Sequence, residues 1–235
     1  MAQQIITIGG GGFSNGTELG LDSYVLQQSN THRPKIGFIG TASGDDTRYV
    51  VRFFSRFSKL DCEPSALSLF GRVQNLEDWI LSQDIIFVGG GNTKSMLGVW
   101  SCWGIPSILN TALNNGTILC GVSAGAICWF ESGITDSIDS SLTALAGLGF
   151  LNGSCCPHYS AEPERKPVYE RLVASKEIAG GIAIDDGAAV HWINGEPKKI
   201  VSGKNGASAY SVKMHDSILK TKKIKSAKII NVQTT

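Results

Sequence analysis

The stretch Thr117-Ile118-Leu119-Cys120-Gly121-Val122-Ser123-Ala124-Gly125-Ala126-Ile127 decides the fold of this chain. An apolar run leads into a Gly-x-Ser-x-Gly pattern, and small and apolar residues follow, which predicts a buried strand that turns sharply into a helix. Gly121 and Gly125 suit such a turn because the closely packed strand and helix leave no room for a Cβ. Ser123 would stand at the turn with its hydroxyl exposed, as a catalytic nucleophile does. The alternative is a capping serine, since the pattern also arises by chance.

Short strands alternate with helices on the N-terminal side of this stretch. We predict strands over 4–8, 34–40, 65–69 and 84–88 and from 117 onwards, and helices over 19–28, 47–60, 75–82 (with Asn75 as its cap), 93–103 and 106–114. This alternation favours an α/β fold with a doubly wound, mainly parallel sheet and helices on both faces. Ligands bind beyond the carboxyl ends of such strands, where the loops 9–14, 41–45 and 89–93 would meet Ser123.

The C-terminal part has a different pattern. Residues 133–149 are polar and contain glycine, 151–156 lead into Pro157-His158-Tyr159, and a helix is predicted over 163–174. Short antiparallel strands, including a hairpin of 198–202 with 207–214, would complete the domain. We therefore predict a single α/β domain over 1–216 with a C-terminal antiparallel extension, and a basic, solvated tail over 217–235.

Composition limits the function classes. Of 235 residues 17% are charged, and the net charge of +1 indicates neither a nucleic-acid track nor an acidic protein partner. No apolar run approaches the ~20 residues that span a bilayer, and the N-terminus lacks the pattern of a signal peptide, so a cytoplasmic location without membrane contact is expected. The six cysteines form no C-x-x-C pair, which predicts reduced thiols and no zinc site.

A nucleophilic serine needs a base and a group that orients the base. Of the four histidines, His158 lies downstream of the elbow between a proline and a tyrosine that would hold it stiffly. Asp185 and Asp186 follow the predicted strand 181–184 and precede Gly187, either as the orienting acid or as a plain acidic turn. A developing oxyanion would be bound by the N–H of Ala124 and by an N–H of the glycines 89–91, for which we expect Gly90.

The stretches 8–13, 88–93, 121–126, 156–159 and 185–187 together carry a family resemblance. They resemble the peptidase E family, the S51 serine peptidases that include aspartyl dipeptidases and cyanophycinases, and the resemblance covers about residues 4–214. It implies a fold similar to that of class I glutamine amidotransferases, in which a cysteine occupies the elbow. It also implies Ser123 as nucleophile, His158 as base and Asp186 as third member of the triad.

The resemblance also has consequences for specificity. Aspartyl dipeptidases have Glu at the position of Asp186, so a shorter carboxylate must reach the base here, and Asp185 is the alternative acid. Family members that remove an N-terminal aspartate hold its carboxylate with an arginine after the histidine. Arg165 takes that place, although Arg171 lies on the same predicted helix and either could form a surface ion pair. Gly91 and Asn92 are also expected to contact the substrate.

The expected function is that of a serine peptidase for short peptides, a dipeptidase that prefers N-terminal Asp and works through an acyl-enzyme without metal or organic cofactor. One alternative is a cyanophycinase-like or isopeptide hydrolase that acts on another acidic substrate. The other is a non-catalytic, ligand-binding member of the fold. Whether the chain forms a homodimer stays open.

Overall fold

The computed structural model describes residues 2–139, 141–224 and 229–231. Its strands are β1 (Gln4–Ile8), β2 (Lys35–Ile39), β3 (Glu63–Leu67), β4 (Ile85–Val88), β5 (Ile118–Val122), β6 (Phe130–Thr135), β7 (Thr143–Ala146), β8 (Leu151–Cys156), β9 (Gly181–Ile184), β10 (Ala188–Ile193), β11 (Glu196–Ser202), β12 (Ala209–His215), β13 (Ile218–Lys223) and β14 (Ile229–Asn231). Its α-helices are α1 (Gly20–Leu26), α2 (Thr47–Phe57), α3 (Leu76–Leu81), α4 (Thr93–Trp103), α5 (Ile105–Asn115), α6 (Ala124–Ile127) and α7 (Arg165–Ala174).

Two sheets form the framework. The larger sheet has the strand order β14-β11-β10-β1-β5-β4-β2-β3, and the neighbours from β1 to β3 are parallel. The antiparallel strands β10 and β11 extend it beyond β1. The smaller sheet, in the order β13-β12-β9-β8-β6-β7, has a parallel centre of β6, β8 and β9. The α/β class with a mainly parallel sheet is confirmed, and the second sheet is an addition that sequence analysis does not predict.

The core explains why helices cover both faces of the larger sheet. Successive side chains of a strand point to opposite faces. Ile6 and Ile8 accordingly join the apolar cluster that includes α1 and α2, whereas Ile5 joins the cluster that includes α3, α4 and α5. The smaller sheet contributes to this second cluster, and α7 packs on its other face. The central strands β4 and β5 are buried along their whole length, as parallel strands between two layers are.

The predicted hairpin of 198–202 with 207–214 is wrong in its pairing. Both strands exist, but β11 pairs with β10 in the larger sheet and β12 pairs with β9 in the smaller one. The strands β9 and β10, which flank the turn 185–187, belong to different sheets. Each therefore has a different antiparallel neighbour, β12 for β9 and β11 for β10. This division places the turn 185–187 where the two sheets meet.

The segment 133–149, for which no element was predicted, contains part of β6 and all of β7. Two local expectations also need correction. The predicted tail contains β13, which pairs with β12, and β14, which pairs with β11; residues 225–228 and 232–235 lie outside the described residues. Asn75 precedes α3 with φ 53° and forms no side-chain capping bond. No helix in the described part of the chain is long and apolar enough to cross a membrane.

Candidate active site

The predicted sharp turn lies between β5 and α6, and Ser123 stands at it. Its φ of 56° and ψ of −113° are strained values for a residue with a Cβ. A Cβ at Gly121 would lie 2.9 Å from the Cα of Gly125, so the strand and the helix pack without room for a side chain. The N–H of Ser123 donates to the carbonyl oxygen of Ile8 at 3.1 Å, which fixes the turn to β1. The sequence prediction of a strand, a strained serine and a helix is confirmed.

His158 and Asp186 form a hydrogen-bonded pair. The distance from His158 Nδ1 to Asp186 Oδ1 is 2.6 Å, and both side chains are half-buried. Burial raises the pKa of Asp186, but the hydrogen bond and charge of His158, with lesser contributions from Lys204 and Arg165, outweigh it and hold the pKa below its ordinary value. The ionised carboxylate accepts a hydrogen bond from the Nδ1–H group, which leaves Nε2 with the free lone pair.

The backbone fixes the position of His158. Its φ is 53°, and its carbonyl oxygen accepts the N–H groups of Ala161 and Glu162, each at 3.1 Å. The N–H of Tyr159 donates to the carbonyl oxygen of Ile184 at the end of β9. The histidine is thus tied to the strand that leads into Asp186.

Asp185 has other partners. Its Oδ1 accepts a hydrogen bond from the Ser160 hydroxyl, and its Oδ2 accepts the N–H of Ser208 at 3.0 Å and the hydroxyl of Tyr210 at 3.2 Å. The side chain is buried. Of the two adjacent carboxylates, the structure therefore pairs Asp186 with the histidine and uses Asp185 to connect surrounding segments.

Gly10 lies in the loop that follows β1 and packs against the His158–Asp186 pair. The strand β1 stands between β5, which ends just before Ser123, and β10, which begins just after the turn 185–187. A Cβ at Gly10 would lie 2.6 Å from Asp186 Cγ and 2.9 Å from His158 Nδ1. In the described residues the Ser123 hydroxyl has no hydrogen bond to His158, and in free enzymes such bonds are often long and tighten only when substrate binds.

The glycine turn 89–92 faces Ser123, since a Cβ at Gly90 would lie 3.2 Å from Ser123 Cβ. The N–H of Gly90, which we predicted to bind an oxyanion, donates instead to the Tyr49 hydroxyl at 3.2 Å. The side chain of Asn92 caps α4, accepting the N–H of Ser95 at 2.8 Å. Gly91 has φ 137°, a conformation that only glycine adopts readily. Whether Gly91 and Asn92 contact substrate stays a prediction.

The two arginines of α7 differ in environment. Arg165 is 4% exposed, pairs with Glu162 and donates from Nη1 to the carbonyl oxygen of Ile134 at 3.4 Å. Arg171 forms an ion pair with Glu177 at 3.3 Å, and both of these side chains are more than half exposed. Only Arg171 is thus a surface residue. Arg165 carries a buried charge near enough to Asp186 to lower the pKa of that carboxyl.

Sequence analysis missed Tyr49. It lies in the aromatic helix segment 47–57, whose rings form much of the core, and nothing in that pattern separates it from its neighbours. The available signal was its place in the first turn of a helix that follows the loop 41–45, because that turn stands at the same sheet edge as Ser123.

A serine at a strained strand-to-helix turn, beside a His–Asp pair at the carboxyl edge of a mainly parallel sheet, defines a hydrolase of the serine type. A sequence model of Peptidase family S51 matches residues 5–200, and the chain belongs to this family. The chain is also 50% identical over 214 residues to the uncharacterized peptidase YgaJ of Bacillus subtilis strain 168, covering 90% of this chain and 93% of that protein. The protein is accordingly a serine-type peptidase.

Solved structures share the fold. A crystal structure of a candidate peptidase E protein from Listeria monocytogenes EGD-e superimposes with a TM-score of 0.62 at 18% identity, covering 96% of this chain and all (100%) of that one. A peptidase from an acI-B1 Actinobacterium has a TM-score of 0.65 at 15% identity and coverage of 98% and 97%. At these identities the likeness concerns the fold alone.

Proposed function

We propose that this peptidase hydrolyses short peptides, as a dipeptidase that prefers an N-terminal aspartate, through Ser123, His158 and Asp186. The observation that carries the proposal is the 2.6 Å hydrogen bond between His158 and Asp186 beside the strained serine turn. That bond fixes the tautomer in which Nε2 is free to accept a proton, as triad chemistry requires.

In this mechanism His158 Nε2 takes the hydroxyl proton while Ser123 Oγ attacks the peptide carbonyl carbon. The tetrahedral intermediate collapses, the C–N bond breaks, and His158 gives its proton to the leaving amine. A water then attacks the acyl-enzyme with His158 again as base, which releases the free carboxyl product and restores the serine. Asp186 stays ionised throughout and stabilises the imidazolium.

The oxyanion would be bound by two backbone N–H groups. Ala124 is the first residue of α6, so its N–H has no acceptor within the helix. In the glycine turn the N–H of Gly90 is directed to Tyr49, which moves our assignment of the second donor to Gly91. Two such donors near a developing negative charge form the usual oxyanion hole of acyl transfer.

The preference for aspartate would come from Arg165. Its guanidinium is buried, and within the described residues it donates to the Glu162 carboxylate and to the Ile134 carbonyl oxygen. A guanidinium has five N–H donors, so it can bind a further carboxylate. A buried cation gains more from such a partner than an exposed one does, because less solvent screens the pair.

The test is hydrolysis of the dipeptides Asp-Leu, Glu-Leu, Asn-Leu and Ala-Leu by wild type, Ser123→Ala, Arg165→Lys and the surface control Arg171→Lys. We expect cleavage of Asp-Leu, a fall of about 10⁴ to 10⁶ in turnover for Ser123→Ala, and a raised KM for Arg165→Lys alone. Equal cleavage of Ala-Leu would refute the preference, and turnover by Ser123→Ala near the wild-type rate would refute the nucleophile. An isopeptide of aspartate is assayed beside the four dipeptides, and its cleavage alone would move the substrate class to a cyanophycinase-like hydrolase.

We also propose a cytoplasmic location. All six cysteines are free, which fits a reducing compartment. Burial raises the pKa values of the Cys120, Cys128 and Cys155 thiols well above the usual value of a cysteine. These thiols are therefore protonated and unreactive, and the three residues act as small apolar side chains in the core.

A further inference from the structure

The glycine turn beside Ser123 is held mainly through its own N–H groups. Gly89 donates to the carbonyl oxygen of Ile39 at 3.1 Å, Gly90 donates to the Tyr49 hydroxyl at 3.2 Å, and Asn92 donates to the carbonyl oxygen of Ala42 at 2.7 Å. Within the described residues, the N–H of Gly91 is the one in this turn that has no acceptor. One of these three acceptors is thus a side chain, that of Tyr49. It binds Gly90, the residue directly before the free N–H of Gly91.

We propose that Tyr49 is a positioning residue for oxyanion stabilisation. Its hydroxyl accepts the N–H of Gly90, fixes the plane of that peptide, and so leaves the next N–H, that of Gly91, directed at the carbonyl oxygen of a substrate on Ser123. The inference rests on the proposed function, in which Ser123 is the nucleophile. It adds a residue outside the triad, which would act through the glycine turn.

The Tyr49 hydroxyl is itself held in place. The N-cap Asp46 accepts the N–H groups of Arg48 at 2.8 Å and Tyr49 at 3.1 Å, which fixes the first turn of α2. The hydroxyl oxygen lies 2.7 Å from Ser14 Oγ in the loop after β1. Burial raises the pKa of Tyr49, so the phenol stays protonated and can donate to Ser14 while it accepts from Gly90.

The hydroxyl and the ring of Tyr49 have different roles. The ring packs on the core, and a Cβ at Gly89 would lie 3.0 Å from the Tyr49 Cε1 and 3.0 Å from the Phe38 Cζ. A phenylalanine would fill the same space. Without the hydroxyl oxygen, the N–H of Gly90 loses its acceptor and is free to turn towards another one, which rotates the peptide that precedes the Gly91 donor.

The experiment compares Tyr49→Phe with Tyr24→Phe in the full chain. Tyr24 is a matched control because its hydroxyl is also buried and hydrogen-bonded, to His191 Nδ1 at 2.9 Å, but on another part of the sheet. One readout is the second-order rate of labelling by a fluorophosphonate, which reacts with a serine nucleophile and places a phosphoryl oxygen in the oxyanion hole. The other readout is kcat and KM for Asp-Leu.

We expect Tyr49→Phe to lower the labelling rate and kcat by about 10- to 100-fold, somewhat less than the loss of an oxyanion donor itself, with KM changed by less than about twofold. Tyr24→Phe should leave all three unchanged. Wild-type labelling and turnover rates in Tyr49→Phe would overturn the inference and leave the proposed function intact. A wild-type protein that the probe does not label at Ser123 would overturn both.

Ser14→Ala keeps the Tyr49 ring and hydroxyl and removes only the partner that holds the hydroxyl. It carries the test should Tyr49→Phe fail to fold. We expect a fall of about 3- to 10-fold in the labelling rate, in the same direction and with the same unchanged KM. A labelling rate equal to that of the wild type would again count against a positioning role.

Discussion

Gly10→Ala is the substitution that most directly tests how this site is built. The added Cβ would lie 2.6 Å from Asp186 Cγ and 2.9 Å from His158 Nδ1. Carbon atoms in contact prefer about 3.5–4.0 Å, so the carboxylate must retreat by roughly 1 Å. This movement would disturb the hydrogen bond between Asp186 and His158, which in the proposed mechanism orients the base. The carbonyl oxygen of Gly10 also accepts the N–H of Gly187, which ties the two segments and limits how far either can move.

The substitution is expected to lower both the reaction rate and the stability of the fold. A 1 Å misplacement of catalytic groups lowers the rate by about 10²-fold, which is about 2.7 kcal/mol in the activation free energy. Overpacking costs about 1–3 kcal/mol in the free energy of unfolding, and the lower entropy of the unfolded alanine chain returns about 0.4–1 kcal/mol. We therefore expect kcat for Asp-Leu to fall by about 10²-fold while urea unfolding shows a loss of about 0–2.6 kcal/mol.

Gly98→Ala is the matched control, because a Cβ at that exposed helical position meets no atom within 4 Å. It should leave kcat unchanged and stabilise the fold by about 0.5–1 kcal/mol. A Gly10→Ala protein with kcat within about threefold of the wild type would refute the reasoning. It would mean that His158 and Asp186 can separate without loss of activity.

The remaining predictions concern the acids and the buried histidine. Asp185→Asn should cost about 1–3 kcal/mol in unfolding free energy with kcat nearly unchanged, whereas Asp186→Asn should lower kcat by about 10³- to 10⁴-fold at similar stability, as urea unfolding and dipeptide assays would show. Burial raises the pKa of Asp22 from 3.8 to about 6, so the folded protein binds this proton more tightly than the unfolded chain does. The free energy of unfolding should therefore fall as pH rises from 3.8 to about 6. Urea unfolding of Asp22→Asn between pH 4 and 6.5 should lack this fall. Burial lowers the pKa of His191 from 6.5 to about 4, so the free energy of unfolding should fall as pH falls from 6.5 to 4. In the same urea titration, His191→Gln should lose less unfolding free energy over that pH range.

Local patterns predicted the elements around the larger sheet well. In the predicted strand 84–88 the residues 85–88 are all apolar and become β4, and most of the predicted helix 47–60, with its helical spacing of apolar residues, becomes α2. Each of these carries its own signal, because one strand or helix must bury a definite face. The turn at Ser123 could be predicted for the same reason, since its glycines mark a close approach of strand and helix.

Pairing between distant segments could not be predicted in this way. The strand β6 contains Glu, Ser, Gly and Thr, and becomes a strand because β8 lies beside it in parallel and β7 in antiparallel orientation. No local period records such a partner. The sequence alone does not show which of Asp185 and Asp186 pairs with the histidine. The structure does, because the two side chains point to opposite sides of the turn: Asp185 binds Ser208 and Asp186 binds His158.

The loop 9–14 after β1 connects the two halves of the proposed chemistry. Gly10 packs against the acid–base pair, and four residues later Ser14 contacts Tyr49, which holds the glycine turn. Between them, the N–H of Phe13 donates to the buried Asp22, whose other oxygen accepts from Arg56. The loop therefore cannot shift towards one half without leaving the other. Close approach of the backbone explains the first two glycines of this loop: a Cβ would lie 2.6 Å from the carbonyl oxygen of Ile184 at Gly9 and 2.6 Å from Asp186 Cγ at Gly10.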